Sequence, residues 1–239
     1  MPTRFLSRAL KVGALTCALA FLASCSVHDT GSPSGSDTHA VTVGEALVAA
    51  TLTQDTAEAI RLIAAGADVD FKDSSGRPVL VSATRANAVD IAKSLILAGA
   101  DVNAQDRQQD SAYLYAGAEG LNEILKLTLE HGADVASTNR YGGTALIPAA
   151  EHGYVQTIKI LLETDIDVNH VNNLGWTALL EAVILGSGGQ EHQEIIRLLI
   201  EAGADVNLPD AQGVSALEHA QQKRQSAVAE LLEEAGARR

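Results

Sequence analysis

One pentapeptide recurs through the chain at a fixed interval. Gly66-Ala67-Asp68-Val69-Asp70 returns as Gly99-Ala100-Asp101-Val102-Asn103, and as Gly132-Ala133-Asp134-Val135. A degenerate copy, Asp165-Ile166-Asp167-Val168-Asn169, follows, then Gly203-Ala204-Asp205-Val206-Asn207 and a last fragment, Gly236-Ala237. The spacings are 33, 33, 33, 38 and 33 residues. A fixed period of this size means a solenoid of stacked units, in which no unit buries its own apolar faces and each contacts only its neighbours. The 239 residues are therefore not read as one or two globular domains.

Two further anchors keep the same phase. A Ser/Thr-Ala-Leu-like triplet occurs at Ser111-Ala112-Tyr113, Thr144-Ala145-Leu146, Thr177-Ala178-Leu179 and Ser215-Ala216-Leu217, with weaker copies at Glu45-Ala46-Leu47 and Pro78-Val79-Leu80. Ser or Thr there is an N-cap for a first helix. Ala83, Ala116, Ala149, Ala182 and Ala220 let neighbouring helices approach closely. Gly120 and Gly153, with Asn87 as a substitute, stop the first helix in the left-handed conformation. A second helix follows, with Leu and Ile at i, i+3 and i+4, as in Ile124, Leu125, Leu127 and Leu129. Gly99, Gly132 and Gly203 end it.

These three motifs resemble the ankyrin repeat, most closely over NRYGGTALIPAAEHGYVQTIKILLETDIDVNHV at 139–171. The resemblance implies an all-α repeat solenoid of helix pairs with β-hairpin tips, in about six repeats. The units are 41–72, 73–105, 106–138, 139–171, 172–209 and 210–239, together the domain 41–239. This chain departs from the family pattern in lacking its His, replaced by Val48, Val81, Leu114, Ile147, Leu180 and Glu218. Repeat five carries five extra residues around Gly186–Gln190, predicted to form a flexible loop between its helices. Repeat six has Gln221–Gln225, with Arg224 at the glycine position, as a solvent-facing cap requires.

The N-terminus reads differently. Arg4, Arg8 and Lys11 precede a twelve-residue apolar stretch, Val12–Ala23, and small residues lead to Cys25. This is a secretory signal, too short to span a bilayer. Leu22-Ala23-Ser24-Cys25 resembles the lipobox of bacterial lipoproteins. That resemblance implies removal of residues 1–24, lipid attachment at Cys25 and, because Ser26 rather than Asp follows, the periplasmic face of the outer membrane in a Gram-negative cell, or the outer face of the single membrane in a Gram-positive one. Residues 25–40 become the lipidated Cys and a flexible tether with a reach of roughly 20 Å. Cleavage would remove three cations and no acid, taking the formal net charge from −13 to −16, and would leave no free thiol.

That acidity argues against a nucleic-acid partner, which needs a basic face. It favours a protein partner with a basic surface and steered, salt-sensitive association. No His-Glu-x-x-His or Cys/His spacing indicates a metal, and no glycine-rich loop is followed by Lys-Ser/Thr. Ser187, in Leu-Gly-Ser-Gly-Gly, is a partial echo of a nucleophile elbow without a fixed base or a preceding strand. The reading is of a non-enzyme, with no cofactor, no small-molecule substrate and a monomeric state before binding. Ankyrin repeats, by resemblance, bind through hairpin tips and the exposed end of helix one. The predicted surface is Arg107, Arg140, Tyr141, Leu174 and Trp176 on the tips, with Glu151 and His152 on a first helix. Trp, Tyr and Arg dominate binding hot spots. Three roles fit: an immunity protein against a secreted toxin or lipase, an accessory factor of a periplasmic enzyme such as catalase, or an envelope scaffold without one tight partner.

Overall fold

The computed structural model describes residues 42–238. Cys25, the signal and the tether lie outside the described residues. Among the described residues twelve helices follow one another in pairs: α1 Val43–Leu52, α2 Thr56–Ala64, α3 Val79–Arg85, α4 Val89–Leu97, α5 Ala112–Ala118, α6 Asn122–Glu130, α7 Leu146–His152, α8 Val155–Leu162, α9 Ala178–Ile184, α10 Gln190–Glu201, α11 Ala216–Gln222 and α12 Ser226–Glu234. Each first helix packs on the next first helix, from α1 to α11, and each second helix on the next second helix, so the pairs stack into two layers. One continuous core runs between them.

The small residues do what the sequence implied. Ala83, Ala116, Ala149, Ala182 and Ala220 are all fully buried. On α5 the approach is closer still, because a β-carbon at Gly117 would meet that of Ala145 at 2.7 Å. In the second layer Ile91 and Leu95, Ile158 and Leu161, and Ile195 and Leu199 are fully buried. In α6 the expected stripe is narrower: Leu127 and Leu129 are only half-buried, and Thr128 is the buried i+4 partner of Ile124. Helix one ends with a left-handed residue at Gln54, Asn87, Gly120, Gly153 and Arg224.

Ser111, Thr177 and Ser215 cap their helices, each accepting the N–H three residues on. Thr144 does not. Pro148 has no N–H for the Thr144 carbonyl, so the turn tightens to an Ile147 N–H bond of 3.3 Å and α7 starts a residue late. The Thr144 hydroxyl is left buried without a partner.

The tips are tighter than the predicted β-hairpins. Among the described residues no strand forms, and the one bridge joins Lys72 and Pro78. Each tip is a five-residue turn closed by an Asp or Asn. Its side-chain oxygen accepts two N–H groups: Ser75 and Arg77 at Asp73, Gln108 and Asp110 at Asp106, Tyr141 and Gly143 at Asn139, Leu174 and Trp176 at Asn172, Gln212 and Val214 at Asp210. So tight a turn has no room for a ladder.

Units are also tied by side chains. Asp70, Asn103, Asn169 and Asn207 each accept a backbone N–H from the following unit, at Asp101, Asp134, Asp205 and Arg238. The first Asp of each Gly-Ala-Asp-Val closes its own turn, as at Asp101 to Asn103 N–H. These carboxylates are structural. The insertion in repeat five forms the expected loop between α9 and α10, with residues 186–189 outside either helix and Gln190 opening α10, the longest helix among the described residues. It is tied down: the Gly186 carbonyl accepts from Lys223 and Gln225, and Lys223 also reaches the Ile184 carbonyl at the end of α9. His192 ties the same segment to the Glu151 carbonyl.

Candidate groove between repeats four and five

The tips of repeats four and five are bonded to each other. Asn173 N–H donates to the Tyr141 carbonyl at 2.9 Å, and His170 Nε2 lies 2.6 Å from the Gly142 carbonyl. Gly142 takes the left-handed conformation at φ +71°, which Gln109 adopts at the same place in the preceding tip, and a β-carbon there would meet the Asn173 side chain, with Oδ1 at 2.5 Å. This junction fixes the spacing between Tyr141 and the next tip.

Trp176 is positioned from both sides of its peptide unit. Its N–H donates to Asn172 Oδ1, and its carbonyl accepts the Asn172 N–H. The result is a pocket of about 170 Å³ between the two tips and the two first helices. Tyr141, Leu174 and Trp176 line it with Ile147, Pro148 and Leu185. Tyr141, Leu174 and Leu185 are each about half exposed, at 54%, 51% and 48%. These half-exposed apolar side chains come from two adjacent units and lie side by side rather than scattered over the surface.

The pocket wall carries two carboxyl groups, Glu151 and Glu181. Glu181 is 95% buried, at 5% exposure. Asn172 Nδ2 donates to its Oε1 at 3.1 Å, while Oε2 is buried with no partner. Burial, reinforced by the nearby Glu151 charge and only partly offset by Asn172, pushes the Glu181 carboxyl up to about 7.

Of the sequence-predicted residues, Tyr141, Leu174, Trp176 and Glu151 converge here. Arg140 sits at the rim with its guanidinium 4.6 Å from the Tyr141 ring centre. It turns toward the preceding tip, to Gln108 Oε1 at 3.2 Å and Asp110 at 3.9 Å. Arg107 is separate: it lies along Gly76, where a β-carbon would come within 3.0 Å of its Nε. His152 is also separate and exposed, its ring 5.5 Å from that of Tyr154. The chain's acidity is thus not uniform. Arg77, Arg85 and Arg140 gather around Asp106 and Asp110 at the tips of repeats two to four.

Ser187 does have a base within reach, contrary to the sequence reading, with His192 Nδ1 at 3.3 Å from its hydroxyl. The hydroxyl also accepts Gly189 N–H, and His192 Nε2 contacts the Glu151 carbonyl. The arrangement fastens the insertion to α7. Among the described residues no group of three or more His, Cys, Asp or Glu is placed to hold a metal ion.

Stacked helix pairs, tight tips and an open side groove define a repeat solenoid of the protein-binding class. The sequence matches the family described as ankyrin repeats (3 copies) over residues 112–210, and the single ankyrin repeat over 75–107. The chain belongs to the ankyrin repeat family. The solved structure of an ankyrin repeat domain from Acinetobacter baumannii AYE is 51% identical, with a TM-score of 0.78 over 80% of this chain and 98% of that one. The ankyrin repeat protein EF0377 is 42% identical, with a TM-score of 0.77 over 80% and 98%. The ankyrin repeat domain of Bcl-3, of the IkappaB family, is 26% identical, with a TM-score of 0.72 over 81% and 86%. No curated protein matches the chain. Ankyrin repeats are generally non-enzymatic domains that mediate protein–protein interaction.

Proposed function

We propose that the chain is a lipid-anchored, non-enzymatic binding protein of the bacterial cell envelope. It inhibits or assists one periplasmic protein, as an immunity factor or an enzyme accessory. The observation that carries the binding reading is the aromatic and aliphatic groove at repeats four and five, where Tyr141, Leu174 and Leu185 stay half exposed around Trp176. A framework that needed these side chains for its own core would bury them. The envelope location rests on the lipobox-like Leu22–Cys25 and on Ser26. The acidic composition supports a partner with a basic surface.

Affinity capture from envelope extract, identified by mass spectrometry, tests the binding reading. The Trp176→Ala/Tyr141→Ala double variant is expected to lose capture while keeping its helicity and melting transition. Capture that survives this change places the surface elsewhere. Cys25→Ala is expected to release the protein from the membrane fraction or block its processing; unchanged membrane association contradicts the anchor.

A further inference from the structure

We infer that the pocket between the tips of repeats four and five receives one basic side chain, arginine or lysine, of the partner protein, with Glu181 as its counter-charge. The inference rests on the protein-binding reading above and specifies what the partner inserts.

Four observations lead to it. The first is an unmet hydrogen-bonding need. Glu181 is 95% buried, at 5% exposure, yet Oε2 has no partner. Among the described residues Ser82, Tyr113, Thr144 and Gln225 also bury an unpartnered side-chain atom, but Glu181 is the one carboxyl among them, and a charged group incurs the largest desolvation cost. The second is that the fold does not require an acid there. The position lies nine residues after the Asp or Asn that closes each tip. It is Ser82, Tyr115 and Pro148 in repeats two to four and His219 in repeat six. The repeat architecture accepts a hydroxyl, an aromatic ring, a proline and an imidazole at that point.

The third observation is the shape and lining. About 170 Å³ is small for a ligand pocket, which runs to about 300–1,000 Å³, but it suits one long side chain. Leu174, Leu185 and Trp176 offer an apolar wall for a methylene stem, and the indole offers a face for a cation. The carboxyl groups of Glu181 and Glu151 stand in the same pocket, so the charge at the end of such a stem meets two acids. The fourth is that the chain's own rim cation does not line the pocket, since Arg140 is held by Gln108, Asp110 and the Tyr141 ring. A neutral donor could hydrogen-bond the carboxyl, as Asn172 does, but would leave its charge unbalanced, and an acidic occupant would add a third like charge. The net charge of −13 favours the approach of a basic partner on the same grounds. The raised Glu181 carboxyl agrees with a site that has no cation until the partner arrives.

Trp176 is the only tryptophan, so its fluorescence and its indole N–H resonance report on this pocket alone. The test titrates the full chain with a blocked Leu-Arg-Leu peptide and with the same peptide carrying citrulline, the neutral isostere of arginine. The arginine peptide is expected to move both Trp176 signals saturably. Citrulline is expected to bind about tenfold or more weakly, and Glu181→Gln to lose a similar factor for the arginine peptide with its helicity unchanged. The inference is overturned if the arginine peptide moves neither signal up to roughly 10 mM. It is also overturned if citrulline binds equally, or if Glu181→Gln binds undiminished. Capture from extract separates this from the broader reading. If Trp176→Ala/Tyr141→Ala loses the partner while Glu181→Gln holds it as well as the parent, the groove binds protein and the basic-side-chain pocket is wrong.

Discussion

Repeats five and six place the same two positions in contact and use them in opposite ways. In each, the residue that closes the tip points its second side-chain atom at the residue nine places later on the first helix. In repeat six the pair is Asp210 and His219, with Oδ2 and Nε2 2.7 Å apart. In repeat five it is Asn172 and Glu181, with Nδ2 and Oε1 3.1 Å apart. Burial would raise the Asp210 carboxyl, but the N–H groups of Val214 and Gln212 and the His219 ring hold it below its ordinary value. Burial raises Glu181 to about 7, and one amide N–H cannot offset it. Repeat six, at the end of the stack, closes its polar pair on itself. Repeat five, inside the stack and beside the exposed Tyr141 and Leu174, leaves one carboxyl oxygen buried without a partner. One scaffold position thus serves stability in one unit and is available for binding in the next.

The sharpest way to break repeat five is Asn172→Ala. Leu174 and Trp176 would lose the acceptor of their N–H groups, and Glu181 would lose its amide donor. We expect a loss of about 3 kcal/mol in urea unfolding, from about 1 kcal/mol per bond. A loss below about 1 kcal/mol would mean that the tip does not depend on its side-chain closure.

Glu181→Gln should next reveal the strain directly. The folded value, about 7, lies above the ordinary 4.5, so folding favours the protonated acid. Stability from this group is full at pH below about 4.5 and is lost as pH rises through about 7. Relative to Glu181→Gln, the parent chain should therefore lose on the order of 2 kcal/mol between pH 5 and pH 8.5. A constant difference across that range contradicts the raised carboxyl.

In repeat six the sign reverses. His219→Ala removes a partner of Asp210, whose side chain is 3% exposed, and should cost about 1.5 kcal/mol near neutral pH. Because the folded Asp210 is depressed, that loss should fade as pH falls through the Asp range. Equal cost in strong acid would point to packing alone. The smallest effect is expected at Thr144→Val, which removes a buried hydroxyl with no partner and should be neutral or stabilising by up to about 1 kcal/mol in thermal unfolding. A clear loss of stability there would mean the hydroxyl is satisfied after all.

Much of the framework was legible because each motif does a local job. A left-handed stop at Asn87, Gly120 or Gly153 and a cap at Ser111, Thr177 or Ser215 follow from residue type and phase. The tips were legible in position but not in form, since the Asp or Asn side chain adds two N–H bonds to the backbone bonds that close each turn, and no strand ladder follows among the described residues. Pro148 changed its own helix start through an N–H it lacks, an effect visible only once the Thr144 carbonyl is placed. Within the groove, Tyr141, Leu174, Trp176 and Glu151 were found from exposed repeat positions and residue type. Arg107 and His152 met the same criteria but face other neighbours. Glu181 was missed because one acid on a first helix looks like a solvated charge. The interval from Asn172 to Glu181, matched by Asp210 to His219, is the signal that marks it as a tip-facing position. Leu185 was missed because its exposure depends on how the insertion after it is folded back.

The central claim is that Glu181 is held in the groove without a counter-charge until a basic side chain arrives. A ¹³C NMR titration of the Glu181 carboxyl in the full chain measures this directly. The midpoint should lie near 7 in the free protein and fall when the Leu-Arg-Leu peptide is present. A midpoint in the ordinary glutamate range, around 4.3, unmoved by the peptide, would contradict it.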